Sequence, residues 1–184
     1  MERKPIVEEI ELPQAVEARI ENNVVKIKGP KGELSRKLVH PLVSISMENN
    51  KIKIKTAKNT KRDKKILGTF KAHLKNMVKG VINVHFYKLK ICSGHFPMNV
   101  SVVKDEFIVK NFFGERTPRK FRIKPGVSIN VDGNMVTIES MDKEAAGQTA
   151  GSIENLCRKG RTKFDKRVFQ DGIFIINKDG KEIS

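Results

Sequence analysis

An α+β fold is predicted for this chain: two similar domains from an internal duplication, each a mostly antiparallel sheet packed against one helix. Three observations predict it. Apolar residues alternate with polar ones between Asn, Asp and Gly turns, the period changes from two to 3.6 late in each half, and the whole order then repeats.

In the first half, Val16-Glu-Ala-Arg-Ile20 alternates as a half-buried strand, Asn22-Asn23 turns the chain, and Val24-Val-Lys-Ile-Lys28 returns. Gly29-Pro-Lys-Gly32 leads into Glu33–Leu38, Pro41 precedes Val43–Met47, and Asn49-Asn50 turns into Lys51-Ile-Lys-Ile-Lys55. The second half replays this with Val100–Val103, Phe107–Asn111, a loop at Gly114, Arg119–Ile123, Val127–Val131, the turn Asp132-Gly133 and Met135–Ile138. Gly114 lies 82 residues after Gly32, and Pro125 lies 84 after Pro41. With the 83 residues between Gly68 and Gly151, three such registers rule out chance, because one short insertion accounts for the drift.

Helical stripes follow the strands. Ile66, Leu67, Phe70, Leu74, Met77, Val78 and Val81 share one face, as do Ala145, Ala146, Thr149, Ala150, Ile153, Leu156 and Cys157. Gly68 and Gly151 occupy matching places, and since glycine costs a helix ~1 kcal/mol against alanine, close packing on the sheet is expected there. A last strand is expected to close each half, Val84–Tyr87 and Ile173–Ile176. The boundary then falls near Lys90–Pro97, giving domains 1–92 and 93–184.

Charge narrows the function. Lys and Arg number 37 against 21 acids, a net charge of +16 with pI near 9.9, which is the footprint of a nucleic-acid binder. Cys92 and Cys157 are too few and too far apart for a disulfide framework or a zinc site, and the four histidines lack ligand spacing. No apolar stretch approaches a membrane span, and the first residues lack a secretory apolar region, so a cytoplasmic protein is expected. Phosphate loops, dinucleotide glycine motifs, nucleophile elbows and paired carboxylates are not found, so no catalytic residue, no cofactor and no small-molecule substrate are expected.

Gly29-Pro-Lys-Gly32 has the Gly-x-x-Gly form of a nucleic-acid clamp that joins two helices. Here it joins strands, so a hairpin turn is the better reading, with Lys31 at its tip. Residues 51–79 hold eleven Lys or Arg against Asp63 alone. Arg62, Lys65, Lys75 and Lys79 thus form a positive ridge opposite the apolar stripe, which serves either phosphate or a solvated helix face.

Two second-half segments are more pointed. Asn111-Phe-Phe-Gly-Glu-Arg-Thr-Pro-Arg-Lys-Phe-Arg-Ile123 mixes aromatics, a turn and the cations Arg116, Arg119, Lys120 and Arg122, with Lys124 just beyond. Arginine forks suit phosphate and guanine edges. Strand alternation would bury one of Phe112 and Phe113, leaving the other ring to stack on a base or pack against the other domain. The second segment carries Arg158, Lys159, Arg161, Lys163, Lys166 and Arg167 just after the helix, where cations also complement its dipole.

These strings are recognisable. Asn111–Lys120, Gly147-Gln-Thr-Ala150 and Val168-Phe-Gln-Asp-Gly-Ile-Phe-Ile175 resemble the large-subunit ribosomal protein six family in its archaeal and eukaryotic form. Val25-Lys-Ile-Lys-Gly-Pro-Lys-Gly32, Leu67-Gly-Thr69 and Asn76-Met-Val-Lys-Gly80 resemble its first half, so the resemblance spans residues 6–178. It implies two duplicated α+β domains and binding of large-subunit rRNA chiefly through the second. It also implies a place near the lateral-stalk base, close to the sarcin–ricin loop where translation GTPases dock. Its implied partners are that rRNA and neighbouring large-subunit proteins, with no membrane, no metal and no homo-oligomer. The family's RNA contacts carry over onto the basic positions of 116–124 and 158–167. The bacterial branch has a Gly-Lys-Gly-type motif where this chain has Gln170-Asp-Gly-Ile173, so contacts of that motif are not transferred. The expected function is a structural constituent that stabilises the factor-docking region. The alternative is a free regulatory RNA-binding module.

Overall fold

The computed structural model describes residues 6–48, 50–56, 59–158 and 168–183 of the chain. In order, the elements are β1 (Val7–Glu11), β2 (Glu17–Glu21), β3 (Val24–Gly29), β4 (Gly32–Lys37), β5 (Val43–Glu48), β6 (Lys51–Thr56) and α1 (Lys61–Ile82). Then come β7 (His85–Cys92), β8 (Asn99–Val103), β9 (Glu106–Lys110), a 3-10 turn (Phe112–Gly114), β10 (Arg119–Arg122), β11 (Val127–Asp132) and β12 (Met135–Ser140). The chain ends in α2 (Lys143–Leu156), β13 (Gly172–Lys178) and β14 (Lys181–Glu182).

Two compact units result, Met1–Val84 and His85–Ser184, and each is α+β with antiparallel pairing and one helix, as the alternation requires. The first has sheets β1-β6-β5 and β2-β3-β4, and α1 packs on strands of both. Val25, Ile27, Ile52, Ile54, Leu74 and Val81 are fully buried between these layers. The second unit has sheets β10-β9-β8 and β11-β12-β7-β13-β14, and α2 packs on strands of both. Leu89, Phe107, Val109, Val136, Ile138, Ala146, Ala150 and Ile153 fill its core.

The division falls one strand earlier than the boundary drawn at 92/93. The strand expected to close the first half is β7, which lies between β12 and β13 in the second unit. Its counterpart is β1, which had not been expected as a strand at all. β1 pairs with β6 with Ile10 opposite Ile52, just as β7 pairs with β12 with Leu89 opposite Val136. Each unit therefore opens on the strand that its later hairpin covers. In β1, glutamates face the lysines of β6: Lys51 meets Glu11 at 2.6 Å, and Lys53 meets Glu9 at 3.5 Å and Glu48 of β5 at 2.7 Å.

The Gly-x-x-Gly segment is a hairpin turn with Gly29 opposite Gly32. Its Lys31 N–H donates to the carbonyl of Val81 at 3.0 Å, so the turn caps the end of α1. A Cβ on Gly29 would stand 2.8 Å from Val81 Cγ2 and 2.9 Å from its carbonyl oxygen, which is why the position has no side chain. The other paired glycines behave differently from expectation. A Cβ on Gly68 or Gly151 would meet nothing within 4 Å, so intramolecular packing does not account for either.

Candidate nucleic-acid interface

The segment after β9 is shaped by left-handed residues. Asn111 (φ 60), Phe113 (φ 51) and Gly114 (φ 74) reverse the chain, and Asn111 Nδ2 donates to the carbonyl of Pro97 at 2.9 Å. Because this is a turn and not a strand, both rings turn inward. Phe112 is 1% exposed, and Phe113 packs against Phe112 and Phe96 with ring centroids at 4.6 and 5.7 Å. Phe113 also meets Phe169, which packs at a tilt against His95. The ring expected either to stack on a base or to pack against the other domain is instead packed among rings of its own unit.

β10 pairs with β9 with Arg119 opposite Val109 and Phe121 opposite Phe107, and both partners are fully buried. Arg119 therefore lies on the core-facing side of its strand. Its Nε and Nη2 donate to the two carboxylate oxygens of Glu115 at 2.8 and 2.6 Å, and its Nη1 donates to the carbonyl of Leu156 at 2.6 Å. The guanidinium carbon sits 4.3 Å from the centroid of Phe112. The Arg119 hydrogen bond holds the Glu115 carboxyl below its usual range. Beneath them, burial pushes the Cys157 thiol up to about 12. The structure commits Arg119 to the fold, where the sequence suggested an RNA contact.

The other described cations face out. Lys120 and Arg122 alternate with the half-buried Arg119 and Phe121, and Arg116 is exposed on the turn that Arg119 holds. Lys120 meets Glu106 at 3.3 Å, and Lys124 donates to the side-chain oxygen of Gln148. Among the described residues, Arg116 and Arg122 have no ion-pair partner. Arg158 is exposed just past α2, while Lys159, Arg161, Lys163, Lys166 and Arg167 lie outside the described residues.

Two positioning groups carried no signal that sequence reasoning used. Asp171, 3% exposed, accepts the N–H groups of Gly94 at 2.8 Å, His95 at 3.2 Å and Phe96 at 2.9 Å, fixing the 94–96 loop beside the aromatic cluster. Glu115 is the other, paired with Arg119 four residues on. Among the described residues, no group of three metal-ligating side chains occurs, and no helix is long and apolar enough to cross a membrane.

Comparison with known proteins agrees with the repeated architecture. The family model for Ribosomal protein L6 matches residues 12–83 and 96–163, one stretch in each unit. The chain belongs to the ribosomal protein L6 family. Large ribosomal subunit protein uL6 of Methanobrevibacter smithii is 45% identical over 175 residues, covering 95% of this chain and 97% of that one. The protein of the same name from Nanoarchaeum equitans is 41% identical over 188 residues, covering 98% of each chain. That of Picrophilus torridus is 43% identical, covering 95% of this chain and 96% of its own. The family is a structural, non-enzymatic one.

Proposed function

We propose that this chain is a structural constituent of the large ribosomal subunit that binds large-subunit rRNA chiefly through its second unit. There it stabilises the translation-factor docking region near the stalk base. One observation supports the binding most directly: a turn of fixed shape, clamped by Arg119, presents Arg116 beside the outward Lys120 and Arg122. Cations on a preformed surface lose little freedom when phosphates dock, so their contacts count for more than those of mobile side chains. The exposed Arg158 and Lys124 are assigned to rRNA binding as well, and so, from the sequence alone, are Lys159, Arg161, Lys163, Lys166 and Arg167.

Sedimentation of cell lysate on a sucrose gradient tests the assembly. The expected result is near-stoichiometric recovery with the large subunit. A protein found mainly in light fractions with assorted RNAs would instead be a free regulatory RNA-binding module.

A further inference from the structure

The outer face of α1 carries positive charge that no described acid of its unit answers. Lys61, Lys65, Gly68, Ala72, Lys75 and Lys79 recur at three- and four-residue steps, and all are exposed. Asp63, the one acid of this helix, is 2% exposed and turned into the N-terminal cap, where Thr60 Oγ1 donates to it at 2.7 Å. Glu8 pairs at 2.5 Å with Lys71, which lies to one side of the stripe. Among the described residues, Lys61, Lys65, Lys75 and Lys79 have no acidic partner.

Gly68 adds the second observation. Glycine in mid-helix weakens the helix relative to alanine, yet a Cβ here would meet nothing within 4 Å. Neither packing nor an unusual backbone angle accounts for it. Gly68, Thr69 and Ala72 form a low floor between two lysine pairs, and Lys65 stands about 15 Å along the helix from Lys75 at 1.5 Å per residue. Thr69 Oγ1 donates back to the carbonyl of Lys65 at 2.9 Å, leaving its lone pairs outward as acceptors.

We infer that α1 is a second RNA-docking face, seated against the minor groove of an A-form duplex. The lysine pairs lie on phosphates of the two strands, and the low floor meets the ribose 2′-hydroxyls. Unanswered cations call for a polyanion, and the smooth floor calls for a wide, shallow groove lined with hydroxyl donors, which A-form RNA has and B-form DNA lacks. The inference rests on the proposed ribosomal reading only in taking RNA as the partner. It uses a different unit and different residues.

The test uses the full chain and an RNA duplex of about 16 base pairs, with a DNA duplex of the same sequence, followed by fluorescence anisotropy at one salt concentration. The wild type is expected to prefer the RNA duplex. Gly68→Gln with Ala72→Gln is expected to lower RNA-duplex affinity at least tenfold without lowering the thermal midpoint, and Gly68→Ala should raise that midpoint. Lys178→Ala with Lys181→Ala, at exposed positions that belong to neither face, should leave duplex binding nearly unchanged. Failure of Arg116→Ala with Arg122→Ala to weaken binding to a large-subunit rRNA fragment would count against the second-unit site alone. An unchanged affinity in the glutamine variant, equal binding of RNA and DNA, or no duplex binding at all would overturn the inference. The first of these would leave an acidic protein surface as the partner of α1.

Discussion

The guanidinium of Arg119 donates to the backbone carbonyl of Leu156 at 2.6 Å, tying β10 to the last turn of α2. The same group grips Glu115 with its other two edges and lies on Phe112, so one side chain holds strand, turn and helix end together. Loss of Arg119 leaves a helix-end carbonyl and a carboxylate without their donor. Arg119→Ala is expected to destabilise the protein by about 2–3 kcal/mol in urea unfolding, and Arg119→Lys to recover only part, because an ammonium cannot reproduce the fork. Unchanged stability with reduced RNA binding would return Arg119 to the list of direct contacts.

That placement was legible. The alternation that puts Phe121 and Ile123 inward puts Arg119 on the same side, two residues before. Charge type drew the reading toward RNA, while strand period pointed to the core. The duplication and both helices were legible too, since period and turn residues are local signals. The place of β7 was not, because its pairing with β12 and β13 joins residues about fifty and eighty positions away. β1 had a signal in its charges: its glutamates complement the lysines of β6. The left-handed Asn111 and Phe113 made a turn of what alternation alone reads as strand.

Gly29 offers a test of the first unit. Its neighbour Val81 presents a carbonyl oxygen 2.9 Å from where a Cβ would stand, and a backbone atom cannot yield as a side-chain tip does. Gly29→Ala should therefore part the β3–β4 turn from the end of α1, at a cost of about 1–3 kcal/mol. Hydrogen exchange should show lost protection at Lys31, whose N–H donates to Val81. Retained protection there would place the strain elsewhere.

Asp171 makes the second unit sensitive to acid. Burial raises its pKa, but the N–H groups of Phe96, Gly94 and His95 together outweigh that and bring the carboxyl below the ordinary 3.8. A carboxyl depressed in the folded state contributes stability that is present above 3.8 and is lost as pH falls through the lower folded value. Glu115 is depressed as well and acts in the same direction. Unfolding free energy should therefore drop below about pH 4. In Asp171→Asn it should be lower at neutral pH by about 1–3 kcal/mol, with a shallower acid limb. An acid limb of unchanged slope would assign the effect to other carboxylates.

The last prediction separates a shaped site from bulk charge. Arg116 and Arg122 stand on the Arg119-clamped surface, whereas Lys178 and Lys181 are exposed on the β13–β14 hairpin. Each pair removes the same formal charge, so long-range attraction to RNA falls equally in both variants. Both pairs adjoin paired strands, but only the first borders the turn that Arg119 clamps, so only there should direct contacts be lost. Arg116→Ala with Arg122→Ala is expected to weaken binding to a large-subunit rRNA fragment by about 2–4 kcal/mol. The slope of log affinity against log salt should fall by about one for each phosphate contact removed. Lys178→Ala with Lys181→Ala should cost well under about 1 kcal/mol and leave that slope nearly unchanged. Equal losses from the two pairs would mean that affinity follows net charge alone, and the clamped turn would then serve the fold and not the RNA.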